Sequence, residues 1–251
     1  MPIDNRFRGF TLIEIALALV IITLILGSIM VPLATRVDQR KTDDTQHVLD
    51  RAMEALIGFA IVNGRLPCPA SAASNGVEDP LGGGNCTIAS GGYLPAVTLG
   101  LDGTDAQGYL VDGWGLPQNR IRYAVTTVSS LCSAKLFTTP GGIRSCWSKL
   151  SNQIITADLN VCPTATGITG FNCAPNTALT SIAPAVVYSL GPNAANGGTG
   201  LDEAENLDGD RAFVWHTRSP ASAPNGEFDD IMVWMSPNIL YARMLVAGQL
   251  P

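Results

Sequence analysis

The sequence predicts an α+β chain: a long N-terminal α-helix whose first half is membrane-spanning, packed on a small antiparallel β-sheet head with disulfide-stapled loops. Three observations lead there. Between residues 10 and 35 the only charged side chain is Glu14. Apolar residues then recur at helical spacing at Val48, Leu49, Ala52, Met53, Leu56, Ile57, Ala60 and Ile61. Short β-branched and aromatic runs and all six cysteines lie farther along the chain.

Residues 1–9 form a polar leader with Arg6 and Arg8, ending at Gly9. The apolar run behind it is long enough to span, since about 20 residues rising 1.5 Å each cover a hydrocarbon core of roughly 30 Å. We therefore expect a transmembrane and assembly helix over 10–34, with the two leader arginines keeping the leader cytoplasmic and sending the rest outward. A secretory signal cut after Ala34 is the competing assignment, but Pro32 stands where a small residue is wanted. Glu14 inside such a run needs a partner, because an unpaired charge in a bilayer costs several kcal/mol. Failing one, it must reach the headgroups from near the helix end.

Over 35–63 the pattern is that of an amphipathic continuation. Arg36, Asp38, Arg40, Lys41, Asp43, Asp44, Asp50, Arg51 and Glu54 fill the faces left by the apolar stripe. Asn63-Gly64 and then Pro67 stop the helix, whereas Gly27 and Pro32 lie in the membrane half, where neighbours must satisfy freed backbone groups. A helix from Phe10 to about Val62 would be roughly 80 Å long. Membrane and then sibling helices are the natural cover, and head-to-tail contacts that do not close build filaments.

The head is expected over 64–251. Candidate strands are 121–128, 185–190, 212–217 and 230–235, and the Gly, Ala, Ser, Thr, Asn and Pro content of 71–92 and 160–180 predicts loops. Cys68, Cys86, Cys132, Cys146, Cys162 and Cys173 include no Cys-x-x-Cys pair, and an even count beyond the span predicts disulfides. Fifteen pairings are open; short separations favour Cys68 with Cys86, Cys132 with Cys146 and Cys162 with Cys173. The spacings of structural zinc sites are absent.

A chain of 251 residues with 46% hydrophobic content has room for one span and one medium domain. Its net charge of −6 argues against direct nucleic-acid binding by the head. Catalytic signatures are missing: His47 and His216 are the only histidines, no Gly-x-Ser-x-Gly or His-Glu-x-x-His occurs, and Gly197-Gly198-Thr199-Gly200 lacks a lysine. No enzyme and no organic cofactor are predicted. Asn206, Asp208, Gly209 and Asp210 imitate the middle of an EF-hand, but Ala204 and Trp215 occupy its end positions.

The junction Gly9-Phe10-Thr11-Leu12-Ile13-Glu14 resembles the class III leader of type IV pilins and type II secretion pseudopilins. The resemblance implies cleavage after Gly9 by a prepilin peptidase and methylation of the new amino terminus at Phe10. It also implies that Glu14 meets the Phe10 ammonium of a neighbouring copy and sets the axial stagger. Its further implications are an inner-membrane assembly platform, membrane lipid, and copies of this chain or other pilins as partners. The single-pass precursor would keep its head in the periplasm until it enters a filament. Gly92-Tyr93-Leu94-Pro95, Asp112-Gly113-Trp114-Gly115-Leu116-Pro117 and Arg122-Tyr123 are similar to the Asp-Pro-Trp-Gly-Asn-Pro turn and tyrosine strand of major pseudopilins, with Gly113 for the proline and Leu116 for the asparagine. Structurally this predicts Gly-rich turns anchored to the helix by a large aromatic.

A third stretch, Ser189-Leu190-Gly191-Pro192-Asn193, Gly197-Gly198 and Gly226-Glu227-Phe228-Asp229-Asp230-Ile231 with Trp234, looks like the calcium loop of the same proteins. By position, Leu190 would offer its carbonyl, Asn193 and Asp230 side-chain oxygens, and Asp229 a reserve carboxylate, a donor set suited to a hard cation. The insertion 199–225 departs from that pattern, and its Asp202, Glu203, Glu205, Asp208 and Asp210 are acids able to shift or replace the site. The implied function is a structural subunit of a type IV pilus or type II secretion pseudopilus. Alternatives are a pilin-mounted adhesin or ligand-binding minor pilin, using loops 71–92 and 199–225, and a membrane-anchored exported enzyme.

Overall fold

The first helix begins with a reciprocal cap. Thr11 donates its backbone N–H (2.9 Å) and its hydroxyl (2.8 Å) to Glu14 Oε2, and the Glu14 N–H returns to Thr11 Oγ1 at 3.4 Å. This is the Thr-x-x-Glu capping box, which satisfies donors that a helix start otherwise leaves open. Helix α1 then runs Leu12–Asn63, through Gly27 and Pro32. It stops where Asn63-Gly64 predicts. The Asn63 side chain donates to the Phe59 carbonyl at 2.9 Å, and Gly64, at φ 63°, donates to the Ala60 carbonyl at 2.8 Å.

This computed structural model describes residues 11–127, 135–149, 157–198 and 200–250, with the side chains of 26–35 and 149 outside the description. The expected leader, 1–9, and Phe10 lie outside it too. Among the described residues no helix is long and apolar enough to cross a membrane. Described apolar side chains, all exposed, extend from Leu12 to Ile25, so the expected span over 10–34 falls partly outside the described residues. The chain divides between Lys41 and Thr42 into two compact units.

Within the second unit the helical stripe is buried as its spacing requires. Leu49, Ala52, Leu56, Ile57 and Ala60 enter a core with Leu66, Leu94, Phe137, Trp147 and Met244, and Val48, Met53 and Ile61 pack at its edge. A four-stranded antiparallel sheet lies over it in the order β1 (Gly92–Tyr93), β2 (Arg122–Val125), β5 (Ala185–Ser189), β7 (Ile231–Trp234). Tyr123 pairs with Val187, and Val187 with Val233. Side chains alternate across this sheet. Tyr123, Val125, Ala185 and Val187 face the helix-side core, while Ala124, Val186, Tyr188 and Met232 face a second one. Burial on both faces explains why these strands read as unbroken apolar runs.

The second core is closed by a second sheet, of which the sequence showed only the last strand: β4 (Thr180–Ala183), β3 (Leu159–Cys162), β6 (Ala212–Val214), in that order. This corrects the expectation of one small antiparallel sheet, because β3 and β6 pair in parallel, Val161 opposite Phe213. It also corrects the loop over 160–180, whose two ends are strand. Leu159–Cys162 is buried at every position, but Asn160 and Cys162 interrupt its apolar pattern, and its burial comes from distant partners such as Tyr188 and Phe213. Among the described residues four further helices were not anticipated: α2 (Ala96–Leu99), α3 (Gly142–Lys149), α4 (Leu201–Glu205) and α5 (Pro237–Val246). The last of these has a proline in its first turn, a start signal readable in the sequence. It buries Leu240, Tyr241 and Met244, and Arg243 Nη2 reaches Glu54 at 3.3 Å.

Disulfides join Cys68 to Cys86 and Cys162 to Cys173, as the short separations favoured. Cys146 is also disulfide-bonded, and its expected partner Cys132 lies outside the described residues. Inside the first stapled loop, Glu78 takes both ends of the Arg65 guanidinium at 2.7 Å each, together with the N–H of Cys68 (3.2 Å) and Gly82 (3.1 Å). Arg65 also lies 4.9 Å from the centre of the Phe59 ring, which ties the loop to α1. The Asp112 turn is tied to the helix by the Gly113 N–H on Thr45 Oγ1 at 3.0 Å; Trp114, the aromatic expected to anchor it, is half-buried.

Candidate functional site

Two places carry the predicted chemistry. At the N-terminus, Gly9 and Phe10 lie outside the described residues, and Glu14 is held in the capping box with Thr11. Sequence reasoning treated Glu14 only as an intramembrane charge and missed the Thr-x-x-Glu spacing that announces the cap.

The second place is an acidic pocket in the head. After β5 the chain turns through Gly191 and Asn193. The short helix α4 (Leu201–Glu205) follows, and the chain returns at Asp229 and Asp230 to enter β7. Carboxylate oxygens of Glu203, Asp229 and Asp230, all buried, lie within 4.8 Å of one another. Asn193 Nδ2 and the Asp229 N–H both donate to Glu203 Oε1, at 2.9 and 3.0 Å. Asp230 Oδ2 accepts from Asn206 Nδ2 at 2.7 Å. Among the described residues, neither side-chain oxygen of Asp229 receives a hydrogen bond, and the buried amide oxygen of Asn193 has none either. Asp229 is only 5% exposed, and Arg218 Nη2 stands 3.8 Å from its Oδ2.

The electrostatics are those of crowded anions. Burial, reinforced by the charge of Glu203, pushes the Asp229 carboxyl up to about 7, with Arg218 pulling the other way. Burial pushes Asp230 up to about 8, with Glu203 and Asp229 adding to it and Asn206 opposing. Close backbone approach is built in: a Cβ on Gly191, at φ +64°, would stand 2.1 Å from Asp229 Oδ1. Orphaned buried oxygens beside clustered carboxylates are the donor set of a hard divalent cation.

Of the expected ligands, Asn193, Asp229 and Asp230 are brought together. Leu190 is placed by its side chain in the second core, and its neighbour Gly191 is the residue in contact with Asp229. Glu203 was named only as one of five acids in the insertion able to shift or replace the site, and nothing in the sequence singles it out. Two acids side by side in Leu-Asp-Glu-Ala-Glu give no burial signal, because their partners lie far off in sequence.

The two patterns read separately from the sequence form one hydrogen-bonded network. Asn119 Nδ2 bridges Asp112 Oδ2 (3.0 Å) and the Gly191 carbonyl (2.7 Å), while Ser189 Oγ donates to Asp112 Oδ2 at 2.5 Å and accepts from the Gly191 N–H at 3.1 Å. Burial raises the Asp112 carboxyl, against the bonds from Ser189, Trp114 and Asn119. Through Gly113 on Thr45, the acidic pocket is thus connected to α1.

A further acidic group, Glu205, Asp208 and Asp210, is more open, with Asp208 exposed. There burial and the charges of Asp208 and Asp210 push Glu205 up to about 7. Beside α4 lies a cleft of about 420 Å³ lined by Thr164, Thr166, Asp202, His216, Ser219 and Asn225 among others. Its polar groups bond one another, with Asp202 as the hub. His47, on α1, is exposed.

Comparison with known proteins adds one finding. A family model described as the prokaryotic N-terminal methylation motif matches residues 4–30. No curated protein and no solved structure matches the chain.

Proposed function

We infer from the N-terminal methylation motif over residues 4–30 that the chain is a type IV pilin-like precursor, which prepilin peptidase cuts after Gly9 and methylates at Phe10. It serves as a structural subunit of a filament. The match over residues 4–30 carries this conclusion, since it supports a membrane-anchored, pilin-like precursor. We infer further that the anchor is a single pass over 10–34, with the head outside the inner membrane and Glu14 paired to the Phe10 ammonium of the next copy. In a medium of low dielectric such a pair is strong once formed and costly to break from one side. The product is a type IV pilus or a type II secretion pseudopilus, and the likeness of the acidic loop to pseudopilin calcium loops supports the latter.

We also propose that the acidic pocket holds calcium through Glu203, Asp229, Asp230 and the Asn193 amide oxygen. The buried oxygens without hydrogen bonds support this assignment. The cation supplies counter-charge to three carboxylates whose mutual repulsion and burial otherwise favour protonation. The residues themselves join the turn after β5, α4 and the entry to β7.

Processing is tested by Gly9→Lys in a strain with a functional prepilin peptidase. The variant is expected to accumulate at full precursor length, with filament incorporation lost, while the unaltered chain loses nine residues as the cut after Gly9 requires. Equal processing of both would reject the assignment.

A further inference from the structure

We propose that α4 acts as a coupler, so that a cation bound at Glu203 also fixes the Cys162–Cys173 loop through the adjacent Asp202. The inference rests on the cation assignment above and extends it to a second part of the head.

Helix α4 has five residues and no side-chain cap at Gly200, too little to be stable alone. Its position is set by two consecutive acids that point to different neighbours, as adjacent residues on a helix must. Glu203, 1% exposed, reaches into the acidic pocket, bonding Asn193 and the Asp229 N–H. Asp202, 5% exposed, turns to the stapled loop: its Oδ1 accepts the Ala165 N–H (2.6 Å), Thr164 Oγ1 (3.1 Å) and Asn225 Nδ2 (3.0 Å). Its Oδ2 meets Asn225 Nδ2 at 3.1 Å and His216 Nε2 at 3.2 Å. One carboxylate therefore gathers the disulfide loop, the segment after β6 and the end of the insertion.

The fit around α4 leaves little slack. A Cβ on Gly198 would fall 2.8 Å from the Glu203 Cβ, and one on Gly200 would fall 2.4 Å from the Glu227 carbonyl oxygen. The Leu201 N–H is bonded to the Asn225 carbonyl at 2.7 Å. A shift of the α4 backbone at Glu203 is passed directly to Asp202.

Without a cation, Glu203, Asp229 and Asp230 crowd their oxygens within 4.8 Å of one another, with Arg218 beside Asp229, a repulsion relieved when one of the three withdraws. Asp229 and Asp230 directly precede β7, and Asp230 is bonded to Asn206, so they are anchored by a strand. Glu203 sits instead on a five-residue helix, and its withdrawal carries Asp202 away from Ala165 and Asn225. The cleft between Thr164, Thr166, His216 and Asn225 then loses its hub, so its shape follows the cation.

The test uses the full-length chain in detergent micelles, with calcium chloride or with a chelator, read by amide hydrogen exchange and calorimetric calcium titration. Calcium is expected to slow exchange about tenfold or more at Asp229 and, through the coupler, at Ala165. Asp202→Ala is expected to keep calcium binding and protection at Asp229 while losing the calcium effect at Ala165. Glu203→Gln is expected to lose both. Binding with protection at Asp229 but unchanged exchange at Ala165 overturns the coupling and leaves the cation assignment standing. Absence of calcium binding by the unaltered chain overturns both.

Discussion

Glu14→Ala is expected to collapse incorporation into filaments by about a hundredfold or more, because the proposed desolvated pair with the next copy's Phe10 ammonium loses one partner, at a cost of about 3–5 kcal/mol. The structure supplies the control. Within one chain Glu14 already closes a cap with Thr11, so its removal also weakens the start of α1. Loss of a cap costs only about 1 kcal/mol. Thr11→Ala removes the hydroxyl from that cap and keeps the carboxylate, so it should assemble close to normally, while Glu14→Ala and Glu14→Gln should not. Filament yield is read by immunoblot of the sheared surface or sheared periplasmic fraction. Equal loss in Thr11→Ala and Glu14→Ala would assign the effect to the cap and exclude the intermolecular pair as its cause.

Glu78→Ala is expected to destabilise the head by about 3–5 kcal/mol, since it leaves the Arg65 guanidinium buried without its partner. Arg65 and Glu78 are 5% and 4% exposed, and two N–H groups of the stapled loop lose their acceptor as well. Burial works to raise the Glu78 carboxyl, yet the bond and charge of Arg65, with the N–H groups of Gly82 and Cys68, hold it below its ordinary value. That direction sets the sign of the pH effect. A carboxyl depressed in the folded state contributes fully above the ordinary carboxylate range, and its contribution fades as pH falls through the folded value. Urea unfolding at neutral and acid pH should show a larger gap between the unaltered chain and Glu78→Gln at neutral pH. A gap that widens on acidification would contradict the pair as the source of stability.

Much of the head was legible where local chemistry decides it. The end of α1 followed from Asn63-Gly64, its buried stripe from the spacing of Leu49, Ala52, Leu56 and Ala60, and β2, β5, β6 and β7 from β-branched runs. The pairs Cys68–Cys86 and Cys162–Cys173 followed from loop length. What escaped is held by distant partners. Leu159–Cys162 looks like loop until Tyr188 and Phe213 cover it, and Glu203 looks solvated until Asn193 and Asp229 surround it. The capping role of Glu14, by contrast, is local and readable from its Thr-x-x-Glu spacing to Thr11.

The most direct measurement is the amino-terminal mass and sequence of the mature protein, isolated from cells with an active prepilin peptidase. The expected result is a chain starting at N-methylated Phe10. A chain that starts at Thr35, or one that retains Met1 through Gly9, would contradict the assignment.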